Sequence, residues 1–195
     1  MKKRLILGLL ALLLLAGGFT GYKVFGPAVS ITKGRLLYIW EGDDFETVTR
    51  RLTDSGFISK GAWFSRVAGW RNYSKIKPGR YELTSGMSLF DLAGLLRSGK
   101  QSPVKMTIVK ERTREGLAAK MGRKFDTLVD SLQLISFLSN NDSLRPFDTD
   151  TNTVMTQVMP YTYEINWNST PGKIMQQFHT AWKKFWTPER KQKAD

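Results

Sequence analysis

The sequence contains no cysteine, and its 195 residues include one histidine, His179. The lack of cysteine excludes disulfides, thiolate metal sites and cysteine nucleophiles. A single histidine cannot build a cluster of histidine ligands for zinc. The sequence also lacks a P-loop, a Gly-x-Ser-x-Gly element and a spaced set of metal ligands. Composition and spacing therefore point to no metal site, and they identify no catalytic signature.

Acidic residues are few, with 17 Asp/Glu against 30 Lys/Arg and a net charge of +13. The excess is uneven: residues 31–124 carry nineteen basic and nine acidic residues, whereas residues 125–195 carry seven and eight. A basic surface favours anionic partners such as nucleic acid, anionic lipid or an acidic polymer. A solvated basic surface beside an anionic membrane explains the charge equally well.

A long apolar run occurs at the N-terminus, where residues 2–4 are all basic, residues 5–22 are uncharged, and Lys23 ends the run. A helix of this length spans about 27 Å, close to the hydrocarbon thickness of a bilayer. The leading basic cluster predicts a cytoplasmic N-terminus and export of everything after Lys23. A cleaved signal peptide with residues 5–16 as its apolar region is the alternative, but no Ala-x-Ala site follows. We predict a cytoplasmic tip and retained anchor over residues 1–25, which excludes nucleic acid as a partner.

Strand–turn–helix patterns recur after the anchor and predict a compact α+β module. Asp43 or Asp44 is expected to cap the first helix, and Ser88 with Asp91 resembles a capping box at the second. The predicted strands cover residues 35–40, 81–83 and 104–109, and the predicted helices cover 45–56, 62–70, 89–99 and a segment from about residue 113.

Residues 126–150 are more acidic and rich in Ser, Asn and Asp, which is typical of a domain boundary. Two short helices are expected near residues 127–132 and 135–138, followed by a polar loop over 140–153. An apolar run at 154–159 and an extended segment at 161–165 come next. Thr170 and Pro171 form a strong helix start. The following helix carries one apolar stripe, which comprises Ile174, Phe178, Ala181, Trp182 and Phe185. A further helix is expected to begin near residues 188–193.

The densest polar and aromatic stretch covers residues 160–168. Aromatic rings stack on sugar faces, and a carboxylate held among rings suits a general acid because burial raises its pKa. An edge strand with scattered aromatic residues explains the composition better. Glu41 and Glu111 lie near turns and are expected to serve in turns and caps. His179 lies inside a predicted helix and is expected to be a packing or surface residue.

Several of these segments resemble the endolytic murein transglycosylases, the YceG or MltG-like family, in the version of the Bacteroidetes lineage. Residues 76–83 (Ile-Lys-Pro-Gly-Arg-Tyr-Glu-Leu), 86–88 (Gly-Met-Ser) and 95–101 (Leu-Leu-Arg-Ser-Gly-Lys-Gln) look like the LysM-like region of that family. Residues 159–164 (Met-Pro-Tyr-Thr-Tyr-Glu) resemble its Pro-x-Thr-Tyr segment, where the catalytic domain starts. The similarity extends from the anchor to Asp195.

The resemblance implies a lytic transglycosylase that cleaves nascent glycan strands internally, without water, and leaves 1,6-anhydro-muramoyl ends. One glutamic acid serves first as general acid and then as base, so no metal or cofactor is needed. The implied partners are peptidoglycan glycan strands, the membrane and peptidoglycan synthases. The implied fold is α+β: an anchor (1–25), a LysM-like module (30–125), a helical and polar connector (126–153) and the beginning of a mixed α/β catalytic domain (154–195).

The family's catalytic glutamate lies in an Ala-Ser-Ile-Val-Glu-like motif, and no residues between 1 and 195 match it. We therefore assign no catalytic residue, and we expect this chain to be an inactive, incomplete fragment of the enzyme. Tyr161, Thr162, Tyr163 and Glu164 are predicted to line or support the substrate cleft.

Two alternatives to the enzyme remain. One is an anchored LysM-like module that binds glycan without cutting it. The other is a scaffold that contacts the wall-synthesis machinery through a basic face that includes Arg50, Arg51 and Lys60.

Overall fold

The computed structural model describes residues 2–31, 34–125 and 131–193. The protein has the predicted mixed α+β composition and divides into two compact units, Met1–Ser102 and Pro103–Asp195. Each unit contains a two-stranded antiparallel sheet.

The first unit begins with a long helix and continues as a two-stranded ribbon with three helices. Its elements are α1 (Lys2–Phe25), β1 (Leu36–Ile39), α2 (Phe45–Asp54), α3 (Gly61–Trp70), β2 (Gly79–Glu82) and α4 (Leu89–Ser98). Strands β1 and β2 pair so that Leu37 lies opposite Tyr81. Both side chains are buried, because residues directly opposite each other in two paired strands project from the same face of the sheet.

Local sequence signals set the ends of α2 and α4. The Asp44 side chain accepts a hydrogen bond from the Thr47 N–H at 2.7 Å, so Asp44 rather than Asp43 caps α2. Ser88 caps α4 by accepting from the Asp91 N–H at 3.0 Å. The Asp91 carboxylate accepts from the Ser88 hydroxyl at 2.7 Å instead of reaching the Ser88 backbone, so the pair is only part of a capping box.

Helices α2, α3 and α4 of the first unit each bury one face in a shared core. Val48 and Leu52 of α2, Phe64 of α3 and Leu92 and Leu96 of α4 are each 0% exposed. Their spacing of three or four residues matches the helical repeat, so each helix presents one apolar stripe to a shared core.

The second unit pairs strands that are far apart in the sequence. Its elements are β3 (Val104–Ile108), α5 (Arg114–Phe125), α6 (Ser131–Leu138), α7 (Asn141–Leu144), two 3-10 turns (Arg145–Phe147 and Val154–Gln157), β4 (Tyr161–Ile165), α8 (Pro171–Phe185) and α9 (Pro188–Gln192). Strand β3 pairs antiparallel with β4, with Met106 opposite Tyr163. The predicted third strand–turn–helix pattern therefore forms, but its strand joins β4 and not the ribbon of the first unit.

The expected polar loop over residues 140–153 is wrong, because α7 and a 3-10 turn occupy its first half. The Asn140 side chain caps α7 by accepting from the N–H groups of Asp142 and Ser143. Leu144 and Phe147 are buried, and their apolar burial draws this polar segment onto the core. The helix expected at 127–132 lies mostly outside the described residues, and the one expected at 135–138 is part of α6.

One helix in the described part of the chain is long and apolar enough to cross a membrane. It covers Ile6–Phe25, which is 20 residues with a mean hydropathy of 1.7. A signal sequence near an N-terminus has the same properties.

Candidate functional site

A cleft of about 620 Å³ lies between β4 and α8 in the second unit. It contains three of the four residues that the sequence singled out, namely Tyr161, Tyr163 and Glu164. The other lining residues come from the segment before β4 and from α8 and α9: Met159, Pro160, Gln176, Gln177, Thr180, Ala181, Lys184, Phe185 and Arg190.

The two tyrosines form the aromatic wall of the cleft but differ in exposure. Tyr163 is 3% exposed, its hydroxyl donates to the Met159 carbonyl at 2.9 Å, and its ring meets Phe178 edge-on at 4.8 Å. Burial raises the pKa of Tyr163 to about 12, so it remains a neutral phenol. Tyr161 is 61% exposed, with its ring 5.4 Å from that of Tyr163. Tyr161 is therefore available to a ligand, whereas Tyr163 supports it.

Thr162 and Glu164 alternate with the tyrosines along β4. The Thr162 hydroxyl lies 3.0 Å from the Thr107 hydroxyl on β3, and Thr162 does not line the cleft. The Glu164 carboxylate lies 3.7 Å from the Lys105 ammonium and is 58% exposed. It reaches the rim of the cleft but is not enclosed by aromatic rings, which was the environment expected of a general acid.

The opposite wall comes from the end of α8 and from α9, which sequence reasoning did not assign to the site. Phe185 was assigned to the apolar stripe of this helix, and its side chain is 41% exposed. The Arg190 guanidinium lies 4.4 Å from the centre of the Phe185 ring and donates to the Phe185 carbonyl at 2.9 Å. The sequence did carry a signal for the exposure of Phe185. It lies shortly before Pro188, and because helices usually end before a proline, Phe185 could be expected at the end of the helix.

His179 is a buried packing residue outside the cleft. Its Nδ1 lies 2.9 Å from Gln157 Oε1, while Gln157 Nε2 donates to the Phe147 carbonyl at 2.9 Å. Because Oε1 can only accept, the neutral ring carries its proton on Nδ1. Burial and then the Lys183 charge lower the pKa of His179, which Asp148 partly offsets.

Two of the acids outside this cleft, Glu111 and Asp43, have structural partners. Glu111 forms an ion pair with Lys120 at 2.8 Å. Glu41 lies in the exposed turn after β1. Asp43 pairs with Arg51, which also donates to the Tyr38 carbonyl at 2.7 Å. Arg51 is therefore a structural residue rather than a member of a free basic face.

The cleft is suited to binding a polar chain that carries hydroxyl groups. It combines exposed aromatic faces from Tyr161 and Phe185 with amide and hydroxyl groups from Gln176, Gln177 and Thr180. Rings can stack on sugar faces while amides bond to hydroxyl groups. Among the described residues, no group of His, Cys, Asp and Glu could hold a metal ion.

Comparison with known proteins gives a consistent family assignment. A family model described as the YceG-like family matches residues 37–195. Two curated proteins named endolytic murein transglycosylase, from Streptococcus pneumoniae strains D39 and R6, are each 30% identical to the chain over 138 residues. The matches cover 65% of this chain and 25% of each relative, so the chain spans about a quarter of their length. A crystal structure of a yceG-like protein from Listeria monocytogenes is 19% identical, with a TM-score of 0.39 over 82% of this chain and 58% of that one.

Proposed function

The chain belongs to the YceG-like family, and from that membership we propose that the protein is an endolytic lytic transglycosylase anchored in the cytoplasmic membrane. Its substrate would be nascent peptidoglycan, cleaved within the strand to leave 1,6-anhydro-muramoyl ends. The observation that carries the proposal is the family match together with the names of the two pneumococcal relatives.

The proposed anchor is α1. Its segment Ile6–Phe25 is of membrane-spanning length, and its outward side chains are apolar and exposed. Leucines on the surface of a water-soluble helix would be unfavourable, whereas the same leucines are solvated by lipid. The basic residues before the helix favour a cytoplasmic N-terminus, which places the rest of the chain outside the cytoplasm.

The cleft between β4 and α8 is the proposed glycan-binding site of residues 1–195. Tyr161 would stack on a sugar ring, Tyr163 would hold Tyr161 in place, and Glu164 would bond to hydroxyl groups at the rim. Thr162 would act indirectly through its contact with Thr107 across the sheet. The domain scheme, with a LysM-like module over 30–125 and a transglycosylase domain that begins at 154, is part of this proposal.

Residues 1–195 are proposed to bind glycan without cleaving it. Glu164 is exposed, and no residue in this range matches the catalytic glutamate motif of the family. Purified sacculi incubated with the detergent-solubilised chain should therefore release no anhydro-muropeptides above background. Release by this chain would show that a residue between 1 and 195 is the catalytic acid.

Binding by the cleft can be tested by sedimentation of the same chain with insoluble peptidoglycan. Tyr161→Ala should reduce the co-sedimented fraction several-fold, because loss of a stacked ring costs about 1 kcal/mol or more. Trp70→Ala is the matched control, since Trp70 is 62% exposed and Tyr161 is 61% exposed. Equal binding by wild type and Tyr161→Ala would contradict the site.

The alternative is an anchored module that binds glycan or peptidoglycan synthases without catalysis. The basic excess between residues 31 and 124 favours it. It predicts that Trp70→Ala or charge reversal at Arg50 and Lys60, rather than Tyr161→Ala, weakens capture of sacculi or of a purified synthase. Arg51 should be left unchanged in that test, because its replacement would break the pair with Asp43.

A further inference from the structure

The last turns of α1 pack against α3 and α4. The Phe19 ring meets the Trp63 ring edge-on at 6.3 Å, and the Phe25 ring lies 5.1 Å from the Phe90 ring. Val24, between them, is 2% exposed. Packing of the last two turns fixes the direction of the helix relative to the rest of the first unit.

The residues that follow α1 are also held by backbone hydrogen bonds. The N–H groups of Ala28 and Val29 both donate to the Met87 carbonyl, at 3.1 and 3.0 Å. The Ser30 N–H donates to the Phe57 carbonyl at 2.9 Å. The connection is therefore not a free tether, and wherever α1 is placed in a membrane, the first unit is placed with it.

These contacts determine the depth of Trp63. Phe19 lies inside the membrane-length segment Ile6–Phe25, and Lys23 follows one turn later with its ammonium 5.5 Å from the Phe19 ring. One helical turn advances about 5 Å, so Trp63 lies within about one turn of the charged end of the apolar run. Tryptophan is enriched at this depth, where the hydrocarbon meets the headgroups.

A small basic cleft lies beside Trp63. It measures about 160 Å³, and its lining includes Lys23 from α1 with Ser59 and Lys60 from the segment before α3. The Arg66 guanidinium lies 5.1 Å from the centre of the Trp63 ring. No acidic residue is found among the described side chains that line this cleft. A phosphate group matches its charge, since lysine binds phosphate as a point charge.

We propose that the surface formed by Phe19, Lys23, Ser59, Lys60, Trp63 and Arg66, here termed the headgroup face, rests on the outer surface of the membrane. The phosphate of an anionic phospholipid would occupy the cleft beside Lys23 and Lys60. This inference rests on the proposed anchor and adds to it. The first unit is then held at a defined height and tilt above the bilayer, rather than swinging on a linker.

The lack of cysteine makes the depth of single positions measurable, because one introduced cysteine is the only thiol to label. Three variants of the full chain would each carry a nitroxide in nanodiscs of phosphatidylethanolamine and phosphatidylglycerol. Ser59→Cys reports on the headgroup face, and Leu12→Cys reports on the middle of α1. Lys100→Cys is the control. Lys100 lies just beyond the C-terminal end of α4, whereas Phe90, which contacts α1, lies in the first turn of that helix.

The depth of each nitroxide is measured from its accessibility to a water-soluble nickel chelate and to oxygen, which is more soluble in lipid. The Leu12 label should be accessible to oxygen only, the Lys100 label to the chelate, and the Ser59 label should lie between them, with chelate access at least several-fold below that of Lys100. A Leu12 label in water would mean that the proposed anchor fails. A Leu12 label in lipid with a Ser59 label as accessible as that at Lys100 would overturn the headgroup face while leaving the anchor intact.

The phosphate contact needs a second comparison. In the Ser59→Cys background, Lys60→Glu should raise chelate access several-fold in the anionic nanodiscs. Lys75→Glu, a reversal at another exposed lysine of the same unit, should leave it unchanged. Replacing the lipid with phosphatidylcholine alone should reduce the effect of Lys60→Glu, whereas added inorganic phosphate should not reproduce the anionic lipid. Equal effects of Lys60→Glu and Lys75→Glu would overturn the assignment of the cleft to a lipid phosphate.

Discussion

At the residue scale, the Asp43–Arg51 pair makes the stability of the first unit depend on pH. The Asp43 side chain is 11% exposed and also accepts from the Trp40 N–H at 2.6 Å. Burial raises the pKa of Asp43, but the bonds from Arg51 and Trp40 outweigh it and lower the pKa below 3.8. A lowered carboxyl pKa stabilises the fold above the unfolded value, and this stabilisation disappears as the pH falls through the folded value.

Asp43→Asn should lower the free energy of unfolding at neutral pH by about 2 kcal/mol, because it removes a charge-assisted bidentate contact. The difference from wild type should shrink below pH 3.8, where Asp43 becomes protonated in the unfolded chain. Urea unfolding between neutral and acidic pH measures both effects.

The exposed pair of Arg35 and Glu82 is the control for that comparison. Its side chains are 70% and 47% exposed, so Glu82→Gln should change the stability by about 0.5 kcal/mol or less. A difference between Asp43→Asn and wild type that stays constant down to acidic pH would contradict the role given to the pair.

His179 offers a second prediction, because its imidazole signals are the only ones in the spectrum of the untagged chain. Its NMR titration should give a pKa below 6.5, since burial and then Lys183 disfavour the cation. Lys183→Gln should raise that pKa, and Asp148→Asn should lower it further. A shift in the same direction for both variants would refute this explanation.

The lowered pKa of His179 also affects stability. The free energy of unfolding should fall as the pH drops below 6.5, because the unfolded chain binds the proton more readily.

At the element scale, two glycines in neighbouring helices should respond in opposite directions to alanine. Gly99 ends α4 with φ 72°, in the left-handed region, so Gly99→Ala should cost about 1 kcal/mol. Gly69 is helical within α3, and a Cβ there meets nothing within 4 Å. Gly69→Ala should therefore stabilise the protein by about 0.5 kcal/mol through the unfolded state. Thermal unfolding of the two variants checks the signs, and equal signs would contradict the backbone argument.

Several helices predicted from local sequence signals are present in the structure. The predicted helices at 62–70 and 89–99 correspond to α3 (Gly61–Trp70) and α4 (Leu89–Ser98). Caps and helix ends depend on residues three or four positions apart, which a sequence displays directly. The loop expected at 140–153 failed because burial of Leu144 and Phe147 overrode a polar composition.

At the scale of the whole molecule, the two compact units should unfold separately. Each has its own buried residues, and two-state behaviour is expected of single domains rather than of pairs. Calorimetry of the detergent-solubilised chain should show two transitions. Leu52 and Leu138 are each 0% exposed, one in each unit. Leu52→Ala and Leu138→Ala should each lower the free energy of unfolding of their own unit by about 3 kcal/mol, and therefore the temperature of one transition only. A shift of both transitions by either variant would show that the units are coupled.

The sequence by itself determined the apolar helix at the N-terminus, the basic middle, the limits of helices such as α3 and α4, and the family, because each depends on neighbouring residues or on a linear motif. Only the tertiary structure showed that β3 pairs with β4, which joins Thr107 to Thr162 across 55 residues. Only the tertiary structure also showed that Phe185 is exposed in the same cleft as Tyr161, that Thr162 lies outside this cleft and that Phe19 packs against Trp63. Such contacts depend on which distant surfaces bury each other, and neither partner segment carries that information alone.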